Sequence, residues 1–64
     1  MSLSYGDYME NRAKAILKKH GCEFIQMTSE TRVLWKNRNN IIREDDIAVL
    51  SNMSETAWKF WETA

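Results

Sequence analysis

The stretch from Leu3 to Gly21 carries helix signals at both ends, and any fold of this chain must accommodate it as one long amphipathic helix. Ser4 stands at the N-cap and Asp7 follows three residues later. This is capping-box spacing with Asp in place of Glu or Gln, and the helix dipole also favours a carboxylate in the first turn. Leu3 and Tyr8 occupy the positions of a hydrophobic staple. Tyr5, Tyr8, Met9, Ala13, Ile16, Leu17 and His20 recur at helical spacing and share one face. Glu10 precedes Lys14 by four residues, the better orientation for a helical ion pair worth roughly 0.2–0.5 kcal/mol. Lys18, Lys19 and His20 fill the last turn, where the dipole favours cations. Gly21 supplies a left-handed C′ residue, and a Schellman closure brings Cys22 against Leu17. Gly6 is the weak link, at a cost of about 1 kcal/mol relative to Ala.

Such a helix needs something to pack on, and the chain has only 64 residues to provide it. A single domain this small buries about 60% of its unfolded surface, which leaves little stability in hand. One cysteine rules out an internal disulfide, and no zinc-site spacing is present. Either the three Trp, two Tyr and two Phe make up the deficit, or a partner does. No long uncharged apolar run suggests a signal peptide or a membrane span, so no membrane partner is expected. A lone thiol without an export signal fits the reducing cytoplasm.

The middle reads as a hairpin, with strands at Cys22–Thr28 and Thr31–Asn37 and a tight turn at Ser29-Glu30. That register sets Phe24 against Trp35, Ile25 against Leu34 and Glu23 against Lys36. A one-residue slip loses all three matched pairs. The turn lacks Gly or Asn, so a slightly longer loop is the alternative. One face then carries Cys22, Phe24, Gln26, Val33 and Trp35, the other Glu23, Ile25, Met27, Arg32, Leu34 and Lys36. Both have apolar centres, whereas a half-buried hairpin alternates apolar with polar. One face is expected on the helix, and the other under the C-terminal segment or a second protein.

Residues 37–40 are a polar turn, and Ile41-Ile42-Arg43 is compatible with a short third strand. Asp45 or Asp46 can cap a second helical region. Ile47, Leu50, Ser54, Ala57, Trp58 and Trp61 share a helical face, so residues 46–63 form one helix or two. Ser51-Asn52-Met53-Ser54 makes a poor helix interior, and Ser54 with Glu55 can start a fresh helix, which favours two.

The chain offers little to catalysis. His20 is the sole imidazole, and a general base needs a carboxylate partner and a pocket. Cys22 lies near it, but fits a packing role. Glu44, Asp45 and Asp46 are neighbours in sequence, which rarely converge on a metal, and helix capping accounts for them. With two glycines there is no phosphate-cradling loop. No cofactor, metal or enzymatic activity is expected.

Charge and aromatics say more. Net charge is zero, yet Arg12 to Arg43 holds eight basic residues against Glu23 and Glu30, a balance of +6, and Glu44 onward holds five acids against Lys59, a balance of −4. Such asymmetry can mark a nucleic-acid face built from Lys14, Lys18, Lys19, Arg32, Lys36 and Arg38 with Trp35 as a stacking surface, or simply two ends that neutralise each other. Trp58 and Trp61 lie about 60° apart on a helix and Phe60 about 100° from Trp61. The three do not all fit one narrow core stripe, so at least one is expected at the surface or against a partner.

The run Leu17-Lys18-Lys19-His20-Gly21-Cys22-Glu23-Phe24-Ile25-Gln26 resembles the start of the HicA-type toxin domains. These are small RNA-cleaving proteins with a double-stranded-RNA-binding-like α-β-β-β-α fold. The resemblance covers about the first half of the chain and implies that order of elements. The family places a catalytic His in a Gly-Ser-His turn near the first hairpin. This chain has Thr28-Ser29-Glu30 there, so no nuclease residue carries over.

The sequence therefore predicts one α+β domain: an N-terminal helix, a β-hairpin with or without a short third strand, and one or two C-terminal helices. The function expected is that of a small non-enzymatic inhibitor or regulator, of the kind viruses and mobile elements encode, that occludes or bridges a protein partner or a second copy of itself. Its expected surface is Trp58, Phe60 and Trp61 with Ile25, Met27 and Leu34. Nucleic-acid binding through residues 12–43 is the alternative.

Overall fold

The computed structural model describes residues 5–64; the Leu3 staple and the Ser4 cap lie outside them. Along the chain come α1 (Tyr5–Lys19), β1 (Glu23–Met27), β2 (Arg32–Lys36), β3 (Ile42–Asp46), α2 (Ile47–Asn52) and α3 (Glu55–Trp61). The strands form one antiparallel sheet in the order β1-β2-β3, so the fold is α+β. The order of elements is the one implied by the HicA-type resemblance, with the last helix divided in two.

Helix α1 ends as its sequence requires. The Cys22 N–H reaches the Leu17 carbonyl at 2.9 Å and the Gly21 N–H reaches that of Lys18 at 3.1 Å, the two bonds of a Schellman motif. Gly21 sits at φ +72° with the Arg38 side chain 3.4 Å from where a Cβ would be, so both backbone and space favour glycine. Ala13 and Leu17 are buried, and Met9 and Ile16 pack beside them. Tyr5 and Tyr8 share that face by spacing but are 57% and 52% exposed. Residues 5–8 are all exposed, so the core-facing stripe begins only at Met9.

The hairpin keeps the expected register at one end and departs from it at the other. Glu23 pairs with Lys36 and Phe24 with Trp35; then a bulge at Ile25 sets Gln26 against Leu34 and Met27 against Val33. The expected Ile25–Leu34 pair is therefore absent. The turn explains the shift. A two-residue Ser29-Glu30 connection needs the positive φ angles that Gly and Asn adopt readily. Instead the Thr28 N–H bonds the Arg32 carbonyl at 2.9 Å, leaving a three-residue loop, and the Ser29 hydroxyl accepts the Arg32 N–H at 3.1 Å. The extra loop residue is absorbed at Ile25. One consequence is that Gln26 and Met27 exchange faces: Met27 packs against the core and Gln26 is exposed.

Strand β3 starts one residue later than expected and runs on through the acidic triplet. Only Asp46 acts as a cap, accepting the Ala48 N–H at 2.9 Å for α2. Ser54 caps α3 by accepting the Ala57 N–H at 3.1 Å, so the C-terminal region is two short helices. These helices pack on the same side of the sheet as α1: Trp58 meets Trp35, and Ile47, Leu50 and Trp58 join Val33, Trp35, Ala13 and Leu17 in one core. Of the two covers expected for the second hairpin face, the C-terminal segment is thus excluded and a second protein is left.

Candidate functional surfaces

The inner sheet face has an unusual third strand. Arg43 and Asp45 stand opposite Trp35 and Val33 in the β2–β3 ladder, which puts two charges on the core side of an edge strand, a device that discourages edge-to-edge pairing. Both charges are used within the chain. Asp45 accepts the Trp35 indole N–H at 2.9 Å and lies 3.7 Å from Arg43 Nε. The Arg43 guanidinium in turn lies 3.5 Å from the centre of the Trp61 ring, a cation–π contact. Arg43 Nε is buried without a hydrogen bond, so the ion pair and the ring are what compensate its charge.

Trp58 is 3% exposed and Trp61 is partly buried, so of the three C-terminal aromatics only Phe60, 71% exposed, faces solvent. Trp58 is sandwiched. The Trp35 ring lies at 5.8 Å and a tilt of 58°, while the His20 ring stacks on it at 3.9 Å and 6°. Nδ1 of His20 is 2.9 Å from Glu62 Oε1, and Arg38 reaches the other oxygen at 3.3 Å. His20 therefore has the carboxylate neighbour that its sequence could not reveal, because Glu62 is 42 residues away. Cys22 directs its thiol at the His20 backbone carbonyl, 3.7 Å away, rather than at the ring. Burial first, and the Glu62 charge second, push the Cys22 thiol pKa up against the opposing pull of Arg38. A raised thiol pKa means less thiolate near neutrality, the reverse of what a nucleophile needs.

The turn after β2 anchors the end of α3. Asn37 is 3% exposed and fully used: Oδ1 accepts the Asn39 and Ile41 N–H groups at 2.9 and 3.0 Å, and Nδ2 donates to the Trp61 and Ala64 carbonyls at 3.3 and 2.6 Å. Asn40 at φ 64° closes this turn, in a conformation Asn tolerates. Neither role was legible in a run that reads simply as polar.

Among the described residues no element covers the outer sheet face. Ile25 and Ile42 are 38% and 59% exposed and Leu34 is half-buried. Around them Lys36 pairs with Glu23 at 3.5 Å and Arg32 with Glu44 at 3.3 Å. Hydrogen bonds from Thr28 and then Arg32 hold the Glu44 carboxyl below its ordinary range.

The ion pairs also redraw the basic surface. Of the six cations expected to bind nucleic acid, four have an acid in reach: Lys14 with Glu10 at 3.1 Å, Arg38 with Glu62, and Arg32 and Lys36 as above. Lys18 and Lys19 have none among the described residues. Trp35, the expected stacking surface, is fully buried and cannot serve.

A shallow cleft of about 340 Å³ lies between α1 and the α2–α3 region, lined by Arg12, Lys19, His20, Ser51, Glu55 and Trp58 among others. No group of metal-ligating side chains occurs among the described residues, and no helix of them is long and apolar enough to cross a membrane. No protein-family model, curated protein or solved structure matches the chain.

Proposed function

We propose that this is a small non-enzymatic protein-binding module, an inhibitor or regulator working in the cytoplasm, and that it covers part of a partner protein with its outer sheet face. The observation that carries the reading is the uncovered apolar centre of that face, Ile25, Leu34 and Ile42, ringed by cations already matched to acids within the chain. A face neutral at its rim has no long-range pull on a polyanion, whereas an apolar, roughly neutral protein surface fits it. Three five-residue strands span roughly 14 by 17 Å, about 240 Å². A standard interface uses about 800 Å² per partner, so two copies meeting on this face alone would form a weak dimer. The area favours a larger partner that also reaches surface beside the sheet.

The test compares Leu34→Glu with Val49→Glu, a control on α2 whose wild-type side chain is 47% exposed. Light scattering on concentrated protein reads self-association, and affinity capture with both variants reads foreign partners. A protein held by wild type and Val49→Glu but lost by Leu34→Glu supports the reading. A dimer broken by Leu34→Glu replaces the foreign partner with a second copy. Equal behaviour of both variants sinks the outer face as the docking surface.

A further inference from the structure

The chain has nine Lys and Arg residues, and five of them lie within 4 Å of an acid: Lys14, Arg32, Lys36, Arg38 and Arg43. Among the described residues Arg12, Lys18, Lys19 and Lys59 have no such partner. Three of these four sit on α1. Taking about 100° per residue, Tyr5, Tyr8, Arg12 and Lys19 fall within about 60° of one another on that helix. Two rings more than half exposed and two uncompensated cations thus form one stripe, rising about 21 Å from Tyr5 to Lys19. The Arg12 Nε contact to Ser51 Oγ at 3.4 Å places the stripe beside α2, and its C-terminal half opens into the α1–α2–α3 cleft. Lys18 and Lys19 continue it into a second groove with Gly21 and Arg38.

We propose that this stripe is a binding surface for single-stranded nucleic acid, distinct from the outer sheet face. Exposed aromatic rings give unpaired bases a stacking platform, and the adjacent cations meet the phosphates. Base pairs in a duplex present no free faces to Tyr5 and Tyr8, so the stripe discriminates for single strands. The acids nearby are Asp7 and Glu10, on α1 but about 100° or more round it from the stripe, Glu55, on the far side of the cleft, and Glu62, held by His20 and Arg38. With about three phosphate contacts, from Arg12, Lys18 and Lys19, affinity is modest and falls with salt at a logarithmic slope of about −2.

The experiment is fluorescence anisotropy of a labelled oligothymidylate of about ten nucleotides, at salt from about 20 mM upward. It is run on wild type, Tyr8→Ala, the double variant Arg12→Gln/Lys19→Gln, and a control double variant Arg32→Gln/Lys36→Gln that loses the same net charge. Circular dichroism checks that each folds. The expected result is a slope near −2 for wild type and a loss of about tenfold or more in the Arg12/Lys19 variant. A several-fold loss in Tyr8→Ala and a change under about twofold in the control complete the pattern. Four outcomes overturn the proposal: no binding at low salt, an equal loss in the control, equal affinity for a duplex of the same length, or equal displacement by polyglutamate. The last would make the stripe a site for acidic protein.

Discussion

The two faces of one sheet solve opposite problems. On the inner face, Val33 and Trp35 are fully buried, and even Asp45 and Arg43 of β3 are turned inward and matched to an indole N–H and an aromatic ring. On the outer face the same strands carry Leu34 between Arg32 and Lys36, each tied to an acid on a neighbouring strand, with isoleucines open to solvent. The inner polar groups are irreplaceable because water cannot substitute for a lost partner. The outer ion pairs contribute little, since exposed pairs are worth roughly 0–1 kcal/mol. Stability is therefore concentrated on one side and freedom to bind on the other.

The largest break in that contrast should come from Trp35→Ala. It removes a fully buried ring that touches Trp58 and donates to Asp45, and is expected to cost about 3–5 kcal/mol, enough to unfold much of the protein in a urea titration. Next stands Asn37→Ala, which strands two turn N–H groups and two carbonyls. A loss of about 2–3 kcal/mol by the same titration is expected, against a few tenths for the exposed Asn39→Ala. Gly21→Ala should cost about 1–2 kcal/mol, because alanine is strained at φ +72°. On the outer face, Lys36→Gln should shift the midpoint by less than about 0.5 kcal/mol, and the shift should vanish at high salt.

The thiol gives a pH test with a definite sign. The folded state raises the Cys22 pKa, so the unfolded chain releases its proton first as pH rises. The stability that the neutral buried thiol contributes is complete below the ordinary cysteine range and is lost as pH climbs through the raised folded value. Cys22→Ser should flatten that alkaline decline in a series of thermal melts.

These contrasts also show why some of the fold was legible and some was not. The α1 C-terminus could be read because its signals are local: Gly21 and Cys22 close on Leu17 and Lys18 within five residues. The first hairpin pairs could be read because Glu23–Lys36 and Phe24–Trp35 match in chemistry. The bulge could not, since it arises where Ser29, Glu30 and Thr31 fail to make a two-residue turn, and its effect falls on Ile25 and Met27. The acidic triplet reads as a capping cluster because the start of a helix favours acids. Arg32 and Trp35, donors from the neighbouring strand, override that preference. Three aromatics overfill a helical stripe, but their spacing does not say that Phe60 is the one left at the surface and Trp58 the one buried. The missing knowledge was that His20, from the far end of α1, supplies a flat partner for it. Arg12 stood outside the expected nucleic-acid set because sequence shows where cations are, not which acids already hold them.

The way α3 is attached has a consequence for the order in which the molecule comes apart. Its backbone makes scarcely any close approach to the other elements. What holds it is the His20–Trp58–Trp35 stack, the Arg43–Trp61 contact, and the grip of residues 37–39 on the last carbonyls. Amide protons of residues 58–62 should accordingly exchange with deuterium well before those of β2. Such a hierarchy makes α3 a cooperative unit of its own, a flap whose transient release bares Trp35 and the His20 imidazole together while the sheet stays intact.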